Sequence, residues 1–222
     1  MVRGKRARPL FANRLVIMAK APRRGAVKRR LASAIGEGEA VRFYRSCLAH
    51  SVMRLARDPR WVTLLAVTPD LDRSFSFLPS CHRVKRLPQG IGDLGKRMQR
   101  FFDRLPPGPT VLVGSDIPAM QPSDIARAFR LLGGADLVLG PARDGGYWLI
   151  GMRRTPRVLE PFASVRWSGE HALSDTLANL KGKRVAFAAR LADVDTDQSY
   201  RAERVLAERL IAASSRRASS CI

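Results

Sequence analysis

Two spacings of hydrophobic and polar positions alternate along this chain. Short apolar runs that suit buried strands lie at residues 15–19, 61–68, 110–114, 137–140, 147–152 and 185–188, and a basic, strand-like stretch lies at 82–87. Between them apolar residues recur at steps of three and four. Val41, Tyr44, Leu48, Val52 and Leu55 do so within 38–57, and Leu94, Met98, Phe101 and Leu105 do so further on. Helices are likewise predicted over 122–132, 170–180 and 197–213, the last with Thr196 placed to cap it. A short helix is expected from about residue 27, ending near Gly36, where a missing side chain suits a C-cap.

Strands alternating with helices predict an α/β protein. The expected form is a three-layer α/β/α sandwich around a mostly parallel central sheet, with ligands bound at the carboxyl ends of the strands. Residues 14–213 form the expected single domain. The basic segment 1–13 and the tail 214–222 lack periodicity and are expected to be mobile.

At 222 residues, 45% of them hydrophobic, the chain is long and apolar enough for one sizeable core. No run approaches the roughly 20 apolar residues of a membrane helix, and the basic start leads into no signal-peptide apolar region. A cytoplasmic protein without a membrane span is therefore expected. The three cysteines are an odd number without paired spacing, and the three histidines show no metal-ligand spacing, which argues against a disulfide framework or a zinc site. The net charge of +21 is more telling, because residues 1–36 hold eleven Lys or Arg and no acid. Such a block attracts polyanions. Without an aromatic-interleaved basic repeat or a zinc-finger pattern, however, the charge does not argue for nucleic acid as the functional partner.

Candidate chemistry follows the strands. After the first one, Lys20, Pro22, Gly25, Lys28 and Arg30 lie in a loop that opens into a helix. Gly25 would let backbone N–H groups approach a phosphate and the cations would add charge, while a solvated basic turn is the alternative. The loop is not a Walker motif. Asp116 ends the strand at 110–114 and suits a hard metal such as Mg²⁺ or, equally well, a turn. Asp193 and Asp195 follow the strand at 185–188 and could share that metal. Asp144, Gly145, Gly146 and Tyr147 offer either a tight hairpin turn or a close approach to a substrate.

Five blocks then occur in order: Ala21-Pro22-x-x-Gly25-x-x-Lys28-x-Arg30-Leu31; Gln89-x-x-Gly92-Asp93-Leu94-Gly95-x-Arg97-Met98; Gly114-Ser115-Asp116-x-Pro118; Gly140-Pro141-x-x-Asp144-Gly145-Gly146-Tyr147-x-Leu149-Ile150-Gly151; and Asp193-Val194-Asp195-Thr196. Together they resemble a bacterial glycosyltransferase-like family of uncharacterised function in the nucleotide-diphospho-sugar transferase (GT-A) superfamily. The chain is also similar to the molybdenum-cofactor and phospholactate guanylyltransferase groups. The resemblance implies the GT-A type of sandwich, a nucleotide held at the first strand's loop, and Mg²⁺ or Mn²⁺ on Asp116 with Asp195 as second ligand. It also implies that the loop of Gln89 and Gly92 lies over the nucleobase, where Gln89 could read a base edge or the glycines could simply make a turn.

The expected activity is that of a metal-dependent transferase using a nucleotide-activated substrate and a small-molecule acceptor. Either a sugar moves from an NDP-sugar or a nucleotidyl group moves from an NTP, with Lys28, Arg30 and Asp116 as catalytic residues. The alternative is a non-catalytic nucleotide- or RNA-binding protein on the same fold.

Overall fold

The computed structural model describes residues 11–70, 75, 84–191 and 200–201. The expected helix over 197–213 is described only at Tyr200 and Arg201, both helical, and its Thr196 cap, Asp193 and Asp195 lie outside the described residues, as does most of the expected mobile ends. In chain order the elements are β1 (Arg14–Lys20), α1 (Arg29–Ile35), α2 (Glu37–Ala56), β2 (Val62–Thr68), β3 (Lys85–Pro88), α3 (Leu94–Arg104), β4 (Thr110–Gly114), α4 (Pro122–Leu131), β5 (Leu137–Pro141), β6 (Tyr147–Met152), α5 (Ala172–Ala178) and β7 (Val185–Phe187). The sheet has seven strands in the order β3-β2-β1-β4-β6-β5-β7.

Every neighbouring pair is parallel except those of β6, which runs antiparallel to both β4 and β5. The reversal follows from the connection. Only the segment 142–146 joins β5 to β6, whereas a parallel return needs a crossover of a dozen or more residues.

Helices cover both faces of the sheet, as the alternation of buried positions requires. Leu15, Ile17, Val111 and Val113 point into one core with Tyr44, Leu48, Val52 and Leu55 of α2 and Ile125 and Ala128 of α4. Val16 and Leu112 point into the other, with Met98, Phe101 and Phe102 of α3 and Leu180. The mostly parallel α/β/α sandwich is therefore present. Far from the strand ends that carry the motifs, Arg154 is buried and donates to Phe102 O, Leu105 O and Pro106 O, satisfying carbonyls at and just beyond the end of α3.

Candidate functional site

Because β6 is reversed, its amino end lies beside the carboxyl ends of β4 and β5, with Val113 paired to Leu149 and Pro141 to Tyr147. The Gly-Ser-Asp and Asp-Gly-Gly-Tyr motifs are thereby brought to one edge. They border a cleft of about 280 Å³ whose walls include Asp116, Asp144, Gly146, Tyr147, Trp148 and Trp167, with Leu94 and Met98 from α3.

Lys28 and Asp116 are the centre of this edge. Lys28 precedes α1 in a left-handed conformation, φ 49° and ψ 45°. Its Nζ lies 2.6 Å from Asp116 Oδ2, with the lysine side chain 2% and the aspartate side chain 31% exposed. An ammonium kept out of water thus meets a carboxylate that faces the cleft. The pair joins the loop after β1 to the loop after β4.

Tyr44 of α2 braces the same junction. The β1–β4 ladder ends at Met18 and Gly114, and beyond it the Tyr44 hydroxyl accepts from Lys20 N–H at 2.9 Å and donates to Lys20 O at 3.0 Å. With its proton used there, it accepts from Ser115 Oγ at 2.9 Å, next to Asp116. Burial pushes the phenol up to about 12 despite the hydrogen bonds with Ser115 and Lys20, so it stays neutral at any physiological pH. Sequence reading placed Tyr44 in an apolar helical stripe and missed its part here, because periodicity reports burial and not what a hydroxyl meets.

The other expected residues are distributed as follows. Asp144, Gly146 and Tyr147 share the cleft with Asp116. Lys20, Gly25 and Arg30 are exposed around the loop after β1, while Pro22 is buried beneath it. Gly92 is exposed ahead of α3, whose first turn is capped by Asp93 accepting from Lys96 N–H at 2.8 Å. Tyr147 packs edge-on to Trp167 with ring centroids 6.4 Å apart, and burial pushes its phenol up. Trp148 turns the opposite way, donating from Nε1 to Ala189 O at 2.9 Å. Trp167 escaped the sequence reading because residues 153–169 carry no periodicity. Its position is held by its neighbour Arg166, whose backbone and guanidinium both donate to Asp175 of α5.

Two expectations are corrected. Gln89 does not offer its amide donors to a base: it is 3% exposed, and Nε2 donates to Ala19 O at 3.0 Å and Ala66 O at 2.9 Å, tying β1 to β2. Its backbone carbonyl accepts from Arg100, which also bonds Ile91 O and so wraps the loop. Gln89→Ala should therefore lower stability by about 1–3 kcal/mol, the cost of buried acceptors left unpaired, and leave the order of preference among nucleobases unchanged. Chemical denaturation with a nucleotide-binding panel tests this; a reordered preference at unchanged stability would contradict it.

The second correction concerns Gly145. Its φ is +84°, and a Cβ there would lie 2.3 Å from Glu170 O. Its carbonyl accepts from Leu173 N–H at 3.1 Å. The close approach that this glycine permits is to the chain's own backbone leading into α5.

The donor set near Asp116 fits a small hard cation in one way. Among the described residues no group of three or more His, Cys, Asp or Glu could hold a metal by itself. Mg²⁺, however, is commonly bound by one or two carboxylates, with phosphate oxygens and water as its other ligands. A cleft-facing carboxylate with one oxygen engaged by Lys28 meets that requirement, whereas it would not serve a metal needing a full protein cage.

This fold and its strand-edge motifs define a protein of the nucleotidyltransferase-like GT-A superfamily. The family model described as "Uncharacterized protein conserved in bacteria (DUF2064)" matches residues 51–169, more than half of the chain, and the chain belongs to that family. It is 32% identical over 142 residues to the 2-phospho-L-lactate guanylyltransferase of Methanopyrus kandleri, a match covering 64% of this chain and 66% of that protein's length. A solved structure from Desulfovibrio desulfuricans G20, assigned to the nucleotide-diphospho-sugar transferases, is 29% identical with a TM-score of 0.74, covering 83% of this chain and 82% of that one. Rv0371C of Mycobacterium tuberculosis H37Rv, solved in complex with manganese, shares the fold at 16% identity and a TM-score of 0.53, over 86% of this chain and 97% of that one. Among the described residues no helix is long and apolar enough to cross a membrane.

Proposed function

We propose that this protein is a metal-dependent nucleotidyltransferase that moves a nucleotidyl group from a nucleoside triphosphate to a small-molecule acceptor. The observation that carries this reading is the Lys28–Asp116 pair at the head of the cleft, which puts a cation and a carboxylate side by side between the loops after β1 and β4. The guanylyltransferase relative supports nucleotidyl transfer over sugar transfer, and the manganese complex of Rv0371C supports a divalent ion. In this reading residues 14–213 act as one domain.

An acceptor oxygen attacks the α-phosphorus, the bond from that phosphorus to the bridging oxygen breaks, and pyrophosphate leaves; a proton on the acceptor oxygen passes to water in the open cleft. Lys28, paired to Asp116, adds positive charge near the departing phosphates, with Lys20 at the end of β1 and Arg30 in the first turn of α1, both exposed, holding their outer oxygens. Tyr44 and Ser115 keep the Lys28 and Asp116 loops in register. Asp116, with Asp195, would hold Mg²⁺ or Mn²⁺, which when bound supplies further charge neutralisation on the phosphates.

The test is a thermal-shift panel of the four NTPs and their diphospho-sugars, each with and without Mn²⁺. A matching NTP with Mn²⁺, at about a hundred times its Kd, should raise Tm by about 5–10 °C. A shift from an NDP-sugar and none from any NTP would favour sugar transfer. Salt-sensitive RNA binding without any nucleotide shift would favour the non-catalytic alternative.

A further inference from the structure

We infer that the acceptor is an uncharged or cationic molecule with an apolar body, and not a compact phosphorylated acid such as the substrate named for the guanylyltransferase relative. This rests on the reading above and takes the cleft beside Asp116 as the place where the acceptor sits. The cleft walls are apolar and aromatic: Tyr147 and Trp167 face it with Leu94 and Met98. Leu94 is 45% exposed, and Ile91, on the loop leading to it, is 86% exposed, so apolar surface continues outward from the cleft. Burying such surface against an apolar ligand is favourable, and aromatic rings also accept a cation on their faces.

The charges point the same way. In a chain of net charge +21, the only ionisable carboxylate or basic side chains among the described lining residues are Asp116 and Asp144. Lys28 offsets Asp116 from behind. Asp144 accepts from Gly146 N–H at 3.0 Å, a bond that shapes the turn and leaves its negative charge in place. A phosphorylated carboxylic acid brings two anionic groups. A metal on Asp116 can serve one of them, but the second would be desolvated beside Asp144 and two aromatic rings.

The experiment follows tryptophan fluorescence of the full chain, with Mn²⁺ and a non-hydrolysable NTP analogue present, during titration with benzyl alcohol, benzylamine and 2-phospho-L-lactate. Both benzyl probes should change the signal saturably and bind at least about ten-fold more tightly than 2-phospho-L-lactate, a ratio set by the unpaired anion. The exposed Leu94 gives a second arm: Leu94→Lys should weaken benzylamine and strengthen 2-phospho-L-lactate. Tighter binding of 2-phospho-L-lactate to the parent protein, or no saturable response to either benzyl probe, overturns the inference. Thermal shift by the nucleotide is recorded on the same samples. Its failure counts against the nucleotidyltransferase reading, while the probes still report on the cleft.

Discussion

Asp116→Asn should cost more stability than Lys28→Met, although the two changes break the same ion pair. Lys28 has a side chain 2% exposed, so removing the carboxylate 2.6 Å away leaves its ammonium out of water without that partner. Asp116 is 31% exposed, and water can take over when the lysine is removed. Breaking a buried pair costs about 3–5 kcal/mol, and the half-open geometry puts Asp116→Asn near the lower end, about 3 kcal/mol, with Lys28→Met at about 1 kcal/mol. The double variant should recover most of the loss, because replacing both partners of a buried pair is commonly near neutral. Urea unfolding of the four proteins closes the cycle. Ligand binding separates the two residues by sign: Asp116→Asn should abolish Mn²⁺-dependent triphosphate binding. Lys28→Met should weaken triphosphate binding by about 1.5–3 kcal/mol while tightening Mn²⁺ alone, since the competing cation has gone. Equal stability costs that add without coupling would mean that the pair does not act as a unit.

The sheet and its helices were legible because each strand is short, apolar and bounded by turn residues, while α2 and α3 repeat their apolar positions at helical steps. The apolar runs 110–114 and 147–152 coincide with β4 and β6. The direction of β6 was also available in principle, from the few residues that separate it from β5. Partners distant in sequence were not legible. Gln89 bonds carbonyls 70 and 23 residues away, and an amide followed by two nearby glycines looks the same in sequence whether it grips a base or a strand. The Asp-Gly-Gly turn posed the same ambiguity, and the Glu170 backbone accounts for its Gly145. Lys28 and Asp116 were each singled out as candidates, but for separate tasks, phosphate and metal; that they neutralise each other before any ligand arrives is a property of the folded chain alone.

The two adjacent glycines of that turn should respond very differently to the same substitution. Gly145→Ala would place a methyl group at φ +84° and within 2.3–2.7 Å of the Glu170 backbone, which cannot rotate aside as a side chain can. A left-handed non-glycine residue alone costs about 1–2 kcal/mol, and a strained core contact adds about 1–3 kcal/mol, so a total of about 3–4 kcal/mol is expected. The damage should also reach the cleft. The Leu173 N–H bond to Gly145 O holds the start of α5, and residues 167–169 on the same segment form one wall. Tryptophan fluorescence should therefore change even well below the melting transition. At Gly146 no positive φ is present, and the three atoms nearest an added Cβ are Asp144 side-chain atoms, the nearest at 3.2 Å. Gly146→Ala should cost no more than about 1 kcal/mol, since a lone flexible side chain can yield. Denaturant unfolding of both variants measures the difference. If Gly145→Ala were as mild as Gly146→Ala, the close packing of the turn on the segment before α5 would not be what requires glycine there.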